Sequence, residues 1–215
     1  MKSFLLIGMG SFGHHLCLSM AKQRDVEMMI VDKSSDVLED LLPYVVSAKV
    51  GDCCDEKVLR SFGDDEFDAC YVCIGGDFQN SIQITSLLKD LGARKVIAKA
   101  DEDVQAKFLL RNGADQVIYP ERDIAERIAI TAGSNRIFDF IELSEDLGVY
   151  EVRPMKKWIG KTIREVNVRV NYNVSILAYR KDGKLVPMPS PDYVFVEDEH
   201  LMVISSKSDI DAITR

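Results

Sequence analysis

The sequence has no apolar run of the roughly 18 to 20 residues that a membrane-spanning helix needs, so it contains no helical membrane segment. Its short N-terminal apolar stretch runs straight into glycines and lacks a small-residue cleavage pattern, so it reads as a buried strand and not as a secretory signal. A cytoplasmic location is therefore expected. Positive charge is also scarce, with 27 Lys and Arg against 35 Asp and Glu and a formal net charge of -8. That balance disfavours a broad nucleic-acid face, and nucleic acid is not among the expected partners. Cysteine occurs five times, and its spacing invites a metal or disulfide reading that the local pattern does not support. Cys70 and Cys73 sit in a strand-like run, where residues three apart face opposite ways. Cys53, Cys54 and Cys17 have no partners at structural-zinc spacing, so all five read as reduced packing or loop residues. No proline- or serine-rich tract marks the linker near 132–137, and the chain has no internal repeat or low-complexity segment.

What is present is alternation. With 47% apolar residues, 215 residues are enough for one large domain or two small ones. The first 134 alternate apolar strand-like runs with helical patterns. Strands are expected at 4–7, in EMMIVD ending at Asp32, in VVSAKVGD, in ACYVCIG, in KVIAKA and in QVIYP. Helices are expected at 12–22 (with Leu16 and Met20 on the inner face), 56–62, FQNSIQITSLLKDLG and 104–111. A further helix opens at Pro120 and Glu121, with Ile124, Ile128 and Ala132 on one side. The acidic GDDEFD leads into the fourth strand. Strands separated by helices of this length make parallel βαβ units, and continuous apolar strands imply helices on both sheet faces. The fold class is α/β, a Rossmann-like parallel sheet over residues 1–134, followed by a small α+β domain over 135–215 joined through a hinge helix.

GMGSFG follows the first strand and opens the first helix, the context that gives a glycine motif its meaning. Gly8 allows the tight turn, Gly10 lets backbone approach a phosphate, and Gly13 lets the helix pack against the sheet. Phosphate would sit on the free N–H groups at the helix N-terminus. Asp32, 19 residues beyond Gly13, is placed to accept from ribose hydroxyls and would repel a 2'-phosphate. Other strand ends converge on the same crevice: Asp52 after the third, Gly75, Gly76 and Asp77 after the fourth, and Lys99 at the fifth. Glu121, at a helix start, reads either as a dipole partner or as a ligand. His14 and His15 lie in the first turn, near enough in sequence to approach a phosphate. Nothing in the sequence pairs a base with a nucleophile, and no metal cluster is spaced for hydrolysis.

In the second half, FDFIELS and VYEVRP are expected strands, WIGKTIREV a short helix, and VSILAYRKDGKLVPMPS a hairpin turning at Asp182-Gly183. YVFVEDEHLMVIS is expected to give two strands around an acidic turn, and SDIDAITR a terminal helix. VSILAYR is apolar on both faces, one for the domain core and one suited to a second copy.

GMGSFG, Asp32 in VD, Gly51-Asp52, CIGGDFQNS, VIAKA and NGADQVIYPERDIAERIA together resemble the RCK (KTN, TrkA-N) domain. The stretch from VRPMKKWIG to LMVIS resembles the TrkA-C domain that follows it, so the resemblance covers essentially the whole chain. It implies a cytosolic regulatory subunit of a Ktr/Trk potassium uptake system and no enzyme activity. It also implies ATP or ADP as ligand, in some members NAD(H), and dimers assembled into an octameric ring beneath a membrane potassium-translocating subunit. The protein would then be peripheral at the inner face of the cell membrane. Carried onto this sequence, the candidate binding residues are Gly8, Met9, Gly10, Ser11, Phe12 and Gly13, with Asp32 and Lys33 at the ribose. Asp52 and Cys53 fall near the base, Ile74, Gly75 and Gly76 beside the ligand, and Lys99 near the phosphates. Glu121 falls near the terminal phosphate or its divalent cation, and cyclic di-AMP is a further family ligand for the C-terminal domain. Ktr-type members usually carry Arg where this chain has Ser11, which weakens discrimination of ATP from ADP. Two other readings stay open on the residues alone: a small NAD-dependent oxidoreductase, and a nucleotide-binding scaffold for another cation channel or exchanger.

Overall fold

A computed structural model describes residues 1–63 and 67–214; Asp64, Asp65 and Glu66 of the acidic run lie outside the described residues, as does Arg215. The chain divides into two compact units, Met1–Arg122 and Asp123–Arg215.

In the first unit, strands β1 (Lys2–Ile7), β2 (Val26–Asp32), β3 (Ser47–Val50), β4 (Ala69–Val72), β5 (Val96–Lys99) and β6 (Gln116–Ile118) form one sheet. Its order is β3-β2-β1-β4-β5-β6, and every pairing is parallel. The connecting helices are α1 (Ser11–Met20), α2 (Glu56–Arg60), α3 (Phe78–Asp90) and α4 (Asp103–Arg111). Side chains alternate along a strand, so Leu5 and Ile7 enter a core on one face while Leu6 enters the other, with Met28 and Ile30. Both faces being buried explains the unbroken apolar runs. Gly92 (φ +93°) ends α3 and Gly113 (φ +105°) follows α4, where a left-handed residue closes each helix. Cys17, Cys53, Cys70 and Cys73 are all buried, Cys17 in one core and Cys53 and Cys70 in the other. Strand order reverses between β1 and β4, so a crevice opens beyond their C-terminal ends, the place where α/β sheets hold ligands.

The second unit holds an antiparallel sheet in the order β10-β9-β11-β8-β7. Its strands are β7 (Ile137–Glu142), β8 (Leu147–Val152), β9 (Ser175–Lys181), β10 (Lys184–Pro187) and β11 (His200–Ser206). Helix α5 (Pro120–Ala132) precedes the sheet; α6 (Ile163–Val166), α7 (Val168–Tyr172) and α8 (Lys207–Thr214) pack around Trp158, Tyr150 and Phe195. Most of α5 belongs to the second unit, tied to β7 and the core beneath it. Ile130 packs on the second core and the Arg127 guanidinium donates to both oxygens of Asp139 at 2.8 and 2.9 Å. The hairpin turns at Asp182 and Gly183, both at positive φ, as the twist of paired strands favours.

One expectation is corrected. YVFV is no strand; its sole ladder contact is an isolated bridge between Thr162 and Val194. Its backbone pairs instead with the 160–163 loop, Gly160 N–H donating to the Phe195 carbonyl at 3.0 Å and Ile163 N–H to Tyr193 at 3.0 Å. The alternation that suggests a strand arises because Tyr193 and Phe195 both turn inward, Phe195 against Trp158 at 5.3 Å between ring centroids. WIGKTIREV is likewise two short pieces, a 3-10 turn at Lys156–Trp158 and α6, whose start is fixed by a reciprocal Thr162–Glu165 capping box.

Candidate functional site

The glycine loop occupies the turn between β1 and α1. Gly8 has φ +91°, a left-handed backbone that favours glycine, and its N–H is held by the Val31 carbonyl at 2.9 Å. A Cβ at Gly13 would collide with the Gly8 carbonyl oxygen, so the third glycine is what lets the helix close on the strand. Gly10 differs from both. Its φ is -65°, and a Cβ there would meet nothing within 4 Å, so it faces open space. Gly10 caps α1 without a side-chain hydrogen bond, and the first turn carries no acidic residue. Free N–H groups and the positive end of the helix dipole therefore face the opening.

Asp32 closes β2. Its Oδ2 accepts from Met9 N–H at 2.7 Å and its Oδ1 from Ser34 N–H at 2.9 Å. Two backbone donors fix the carboxylate plane and leave each oxygen a further lone pair. Lys33 Nζ lies 3.2 Å from Asp52 Oδ2, both side chains being about half exposed. Asp52 is held below the usual carboxylate range, first by the Cys54 N–H on its Oδ1 at 2.9 Å and then by Lys33.

These elements enclose a cavity of about 280 Å³. Of the residues expected at the site, Gly8, Gly10, Asp32, Lys33, Cys53, Ile74 and Gly75 line it together. Met9, Ser11, Phe12, Gly13, Asp52, Gly76, Lys99 and Glu121 do not. Met9 sends its side chain into the core and contributes its N–H to Asp32. Asp77, read from the sequence as reaching this crevice, also lines it, and Val31, Gly51, Asn80 and Ile84 line the wall without having been expected as binding residues. Asp77 and Asn80 form a unit: the Asp77 side chain caps α3 by accepting from Asn80 N–H at 3.1 Å, and Asn80 Nδ2 donates back to it. The D-x-x-N spacing marks the start of a helix but not its place on the wall. Cys73, also on the wall, is pushed up to about 12 by burial and carries a neutral thiol.

Lys99 and Glu121 make a separate group. The nearly buried Lys99 ammonium lies 2.6 Å from Glu121 Oε1 and 3.4 Å from Asp101 Oδ1. Burial works against its charge, but the two carboxylates outweigh that and raise its pKa above the ordinary amine value. A Cβ at Gly75 would come within 2.9 Å of Lys99 Nζ, so the glycine turn after β4 leaves room for this lysine behind the cavity. Glu121 thus uses Oε1 for the ammonium while its side chain stays largely exposed, and no cluster of three or more His, Cys, Asp or Glu suited to a metal exists among the described residues. His14 is also committed, its Nε2 lying 2.6 Å from Asp40, whose carboxyl it holds below the usual range.

Residues 4–120 match the TrkA-N domain and residues 147–215 the TrkA-C domain. The chain is 34% identical over 209 residues to "Ktr system potassium uptake protein C" of Bacillus subtilis (strain 168), covering 97% of this chain and 94% of that protein. Among solved structures, the GsuK channel bound to NAD superposes with a TM-score of 0.68 at 20% identity, over 98% of this chain and 38% of that one. GsuK bound to ADP superposes with a TM-score of 0.52 at 18% identity, over 61% of this chain and 34% of that one. At those identities the likeness is one of fold. The two domain matches, in order along one chain, and the near full-length relative place this protein in the TrkA-N/TrkA-C family of potassium uptake proteins.

Proposed function

We propose that this protein is a nucleotide-binding regulatory subunit of a potassium uptake system, and that it performs no chemistry on the nucleotide. The observation that carries the reading is the 280 Å³ cavity at the switch point of the sheet, with an uncapped helix N-terminus and an open Gly10 on one side and a fixed Asp32 on the other. Phosphates sit on the N–H groups of the first turn of α1, the ribose diol on the remaining lone pairs of Asp32, and adenine between Val31 and Ile84, near Asp52. Lys99 lies behind Gly75, paired with Glu121 and Asp101, and does not reach the cavity wall. The resident ligand is ATP or ADP, with NAD(H) as the alternative that a structural neighbour bound to NAD supports.

The absence of catalysis is supported by what lines the wall. The sulfur of Cys73 is protonated, Asp32 is bound by two N–H donors, and Asp77 caps a helix, so none is poised as base or nucleophile. Docking beneath a membrane potassium-translocating subunit, in the cytoplasm and as a ring of dimers, extends the same reading. No described helix is long and apolar enough to cross a membrane, so membrane contact would run through that partner. The test is a thermal-melt series of the full chain with ATP, ADP, NAD⁺ and NADH, paired with native mass and potassium flux into vesicles holding the translocating subunit. A large assembly stabilised by ATP and ADP, with nucleotide-dependent flux, is expected. Hydride transfer from NADH to any small acceptor would move the protein to the oxidoreductases.

A further inference from the structure

The second unit carries a concentration of positive charge, with no ion-pair partner among the described residues, that nothing in the nucleotide reading uses. Arg136 immediately precedes β7 and Arg153 immediately follows β8, and the two strands pair antiparallel with Ile137 opposite Val152. Arg153 N–H donates to the Arg136 carbonyl at 3.1 Å, so two guanidinium groups issue from directly opposed positions. Like charges at such positions repel. Both line a cavity of about 200 Å³ together with Lys156, Asn135 and Ile159. Glu197 is the one carboxylate on that wall, and it forms an ion pair with none of the three cations.

The arginines are positioned rather than loose. Arg136 Nη1 donates to the Ile213 carbonyl in α8 at 3.3 Å, and the Arg153 guanidinium lies over the Phe138 ring at 5.3 Å from its centroid. Stacking of that kind leaves the edge of the guanidinium free to donate. In a chain with eight more acidic than basic residues, three cations around one concavity that have no ion-pair partner among the described residues suit an external anion. From this placement we propose that the Arg136–Arg153–Lys156 pocket is a second ligand site, taking a small phosphate-bearing anion. Two forked guanidinium groups match the spread of oxygens on a phosphate, and the lysine adds a point charge. The cavity, about seven water volumes at ~30 Å³ each, takes a phosphate with a short carbon skeleton and is too small for a dinucleotide. Ile159 and Pro154 supply apolar contacts for such a skeleton.

Calorimetric titration of the full chain with inorganic phosphate, against acetate at matched ionic strength, tests this. Saturable millimolar binding of phosphate is expected, with acetate at least roughly tenfold weaker because it carries less charge and fewer acceptor oxygens. In the double variant Arg153→Gln, Lys156→Gln, phosphate affinity should fall roughly tenfold or more, while circular dichroism and ATP binding stay as in the parent chain. Arg136 is left in place because it also ties α8. Phosphate affinity unchanged in the double variant, acetate binding as tightly as phosphate, or no saturation up to roughly 10 mM would each overturn the assignment.

Discussion

Gly10 and Gly13 are three residues apart in one motif, yet a methyl group would act on them in opposite ways. At Gly10 it would enter open space on an ordinary backbone, so Gly10→Ala should leave stability within about 0.5 kcal/mol. The same methyl projects where a phosphate must approach, so nucleotide affinity should drop by roughly tenfold or more, about 1.4 kcal/mol. At Gly13 the collision is with the Gly8 carbonyl, and Gly13→Ala should cost about 1 to 3 kcal/mol in urea denaturation even without nucleotide. Equal stability of the two variants would mean that the loop is not packed as described. Asp32 combines both roles. Asp32→Ala removes the ribose acceptor and the charge-assisted bond from Met9 N–H, so it should lose nucleotide binding and about 1.5 to 3 kcal/mol of stability together. Asp32→Asn keeps an acceptor for Met9 and should recover part of the stability and little of the affinity. Recovery of both in step would assign the carboxylate to the loop alone.

At the level of elements, β8, β9 and β11 bring Glu151, Arg180 and His200 to one point. Arg180 donates through Nε and Nη2 to the two Glu151 oxygens at 2.9 Å each, and His200 Nδ1 lies 3.0 Å from Oε1. Glu151 is almost fully buried, and its pKa is lowered, chiefly by Arg180, with burial opposing and His200 adding. A depressed carboxylate contributes stability above its unfolded pKa of about 4.3 and loses it as pH falls through the lower folded value. The second unit should therefore weaken progressively below about pH 4.3. Glu151→Gln should cost about 1 to 3 kcal/mol at neutral pH and show a shallower loss between pH 4 and 3 (roughly the window below the unfolded value). Parallel acid profiles for parent and variant would show that this pair carries no pH-linked stability.

Such element-level facts also mark what the sequence could disclose. The parallel strands were legible because both their faces are buried and their apolar runs are unbroken; Gly92 and Gly113 marked helix ends through their left-handed backbone. Helix α7 was not, since its five residues have no period to show and its limits are set by Asn167 and Asn173 at positive φ. YVFV misleads because a loop can supply the backbone partners that a neighbouring strand normally supplies. At the cavity, Gly8, Gly10 and Asp32 announce themselves by spacing. Val31, Ile84 and Asn80 reach the wall only because β2 and α3 converge on β1, which no local pattern encodes. The commitment of Glu121 to Lys99 is equally a product of tertiary approach, across 22 residues of sequence.

For the whole molecule, a nucleotide can regulate only through unequal affinity for two states of the assembly. The difference between ATP and ADP is one phosphate, so their discrimination depends on what meets that phosphate. In this chain, the first turn of α1 offers backbone N–H groups and an exposed Ser11 hydroxyl, His14 is held by Asp40, and Lys99 is neutralised by two carboxylates. None of these brings an uncommitted cation to a third phosphate, so ATP and ADP should bind the isolated protein within roughly tenfold of each other. Regulation would then track total nucleotide occupancy more than the ATP to ADP ratio. Ser11→Arg tests this, since an exposed first-turn position accepts the longer side chain without disturbing the core. A forked, charge-assisted contact to the terminal phosphate is worth about 1.5 to 3 kcal/mol, so the variant should favour ATP over ADP by a further tenfold or more (roughly 1.4 kcal/mol per decade). Calorimetry with both nucleotides on parent and variant reads this directly. An unchanged ratio would mean that the phosphates do not lie on the first turn of α1, and the proposed orientation of the nucleotide would have to be reversed.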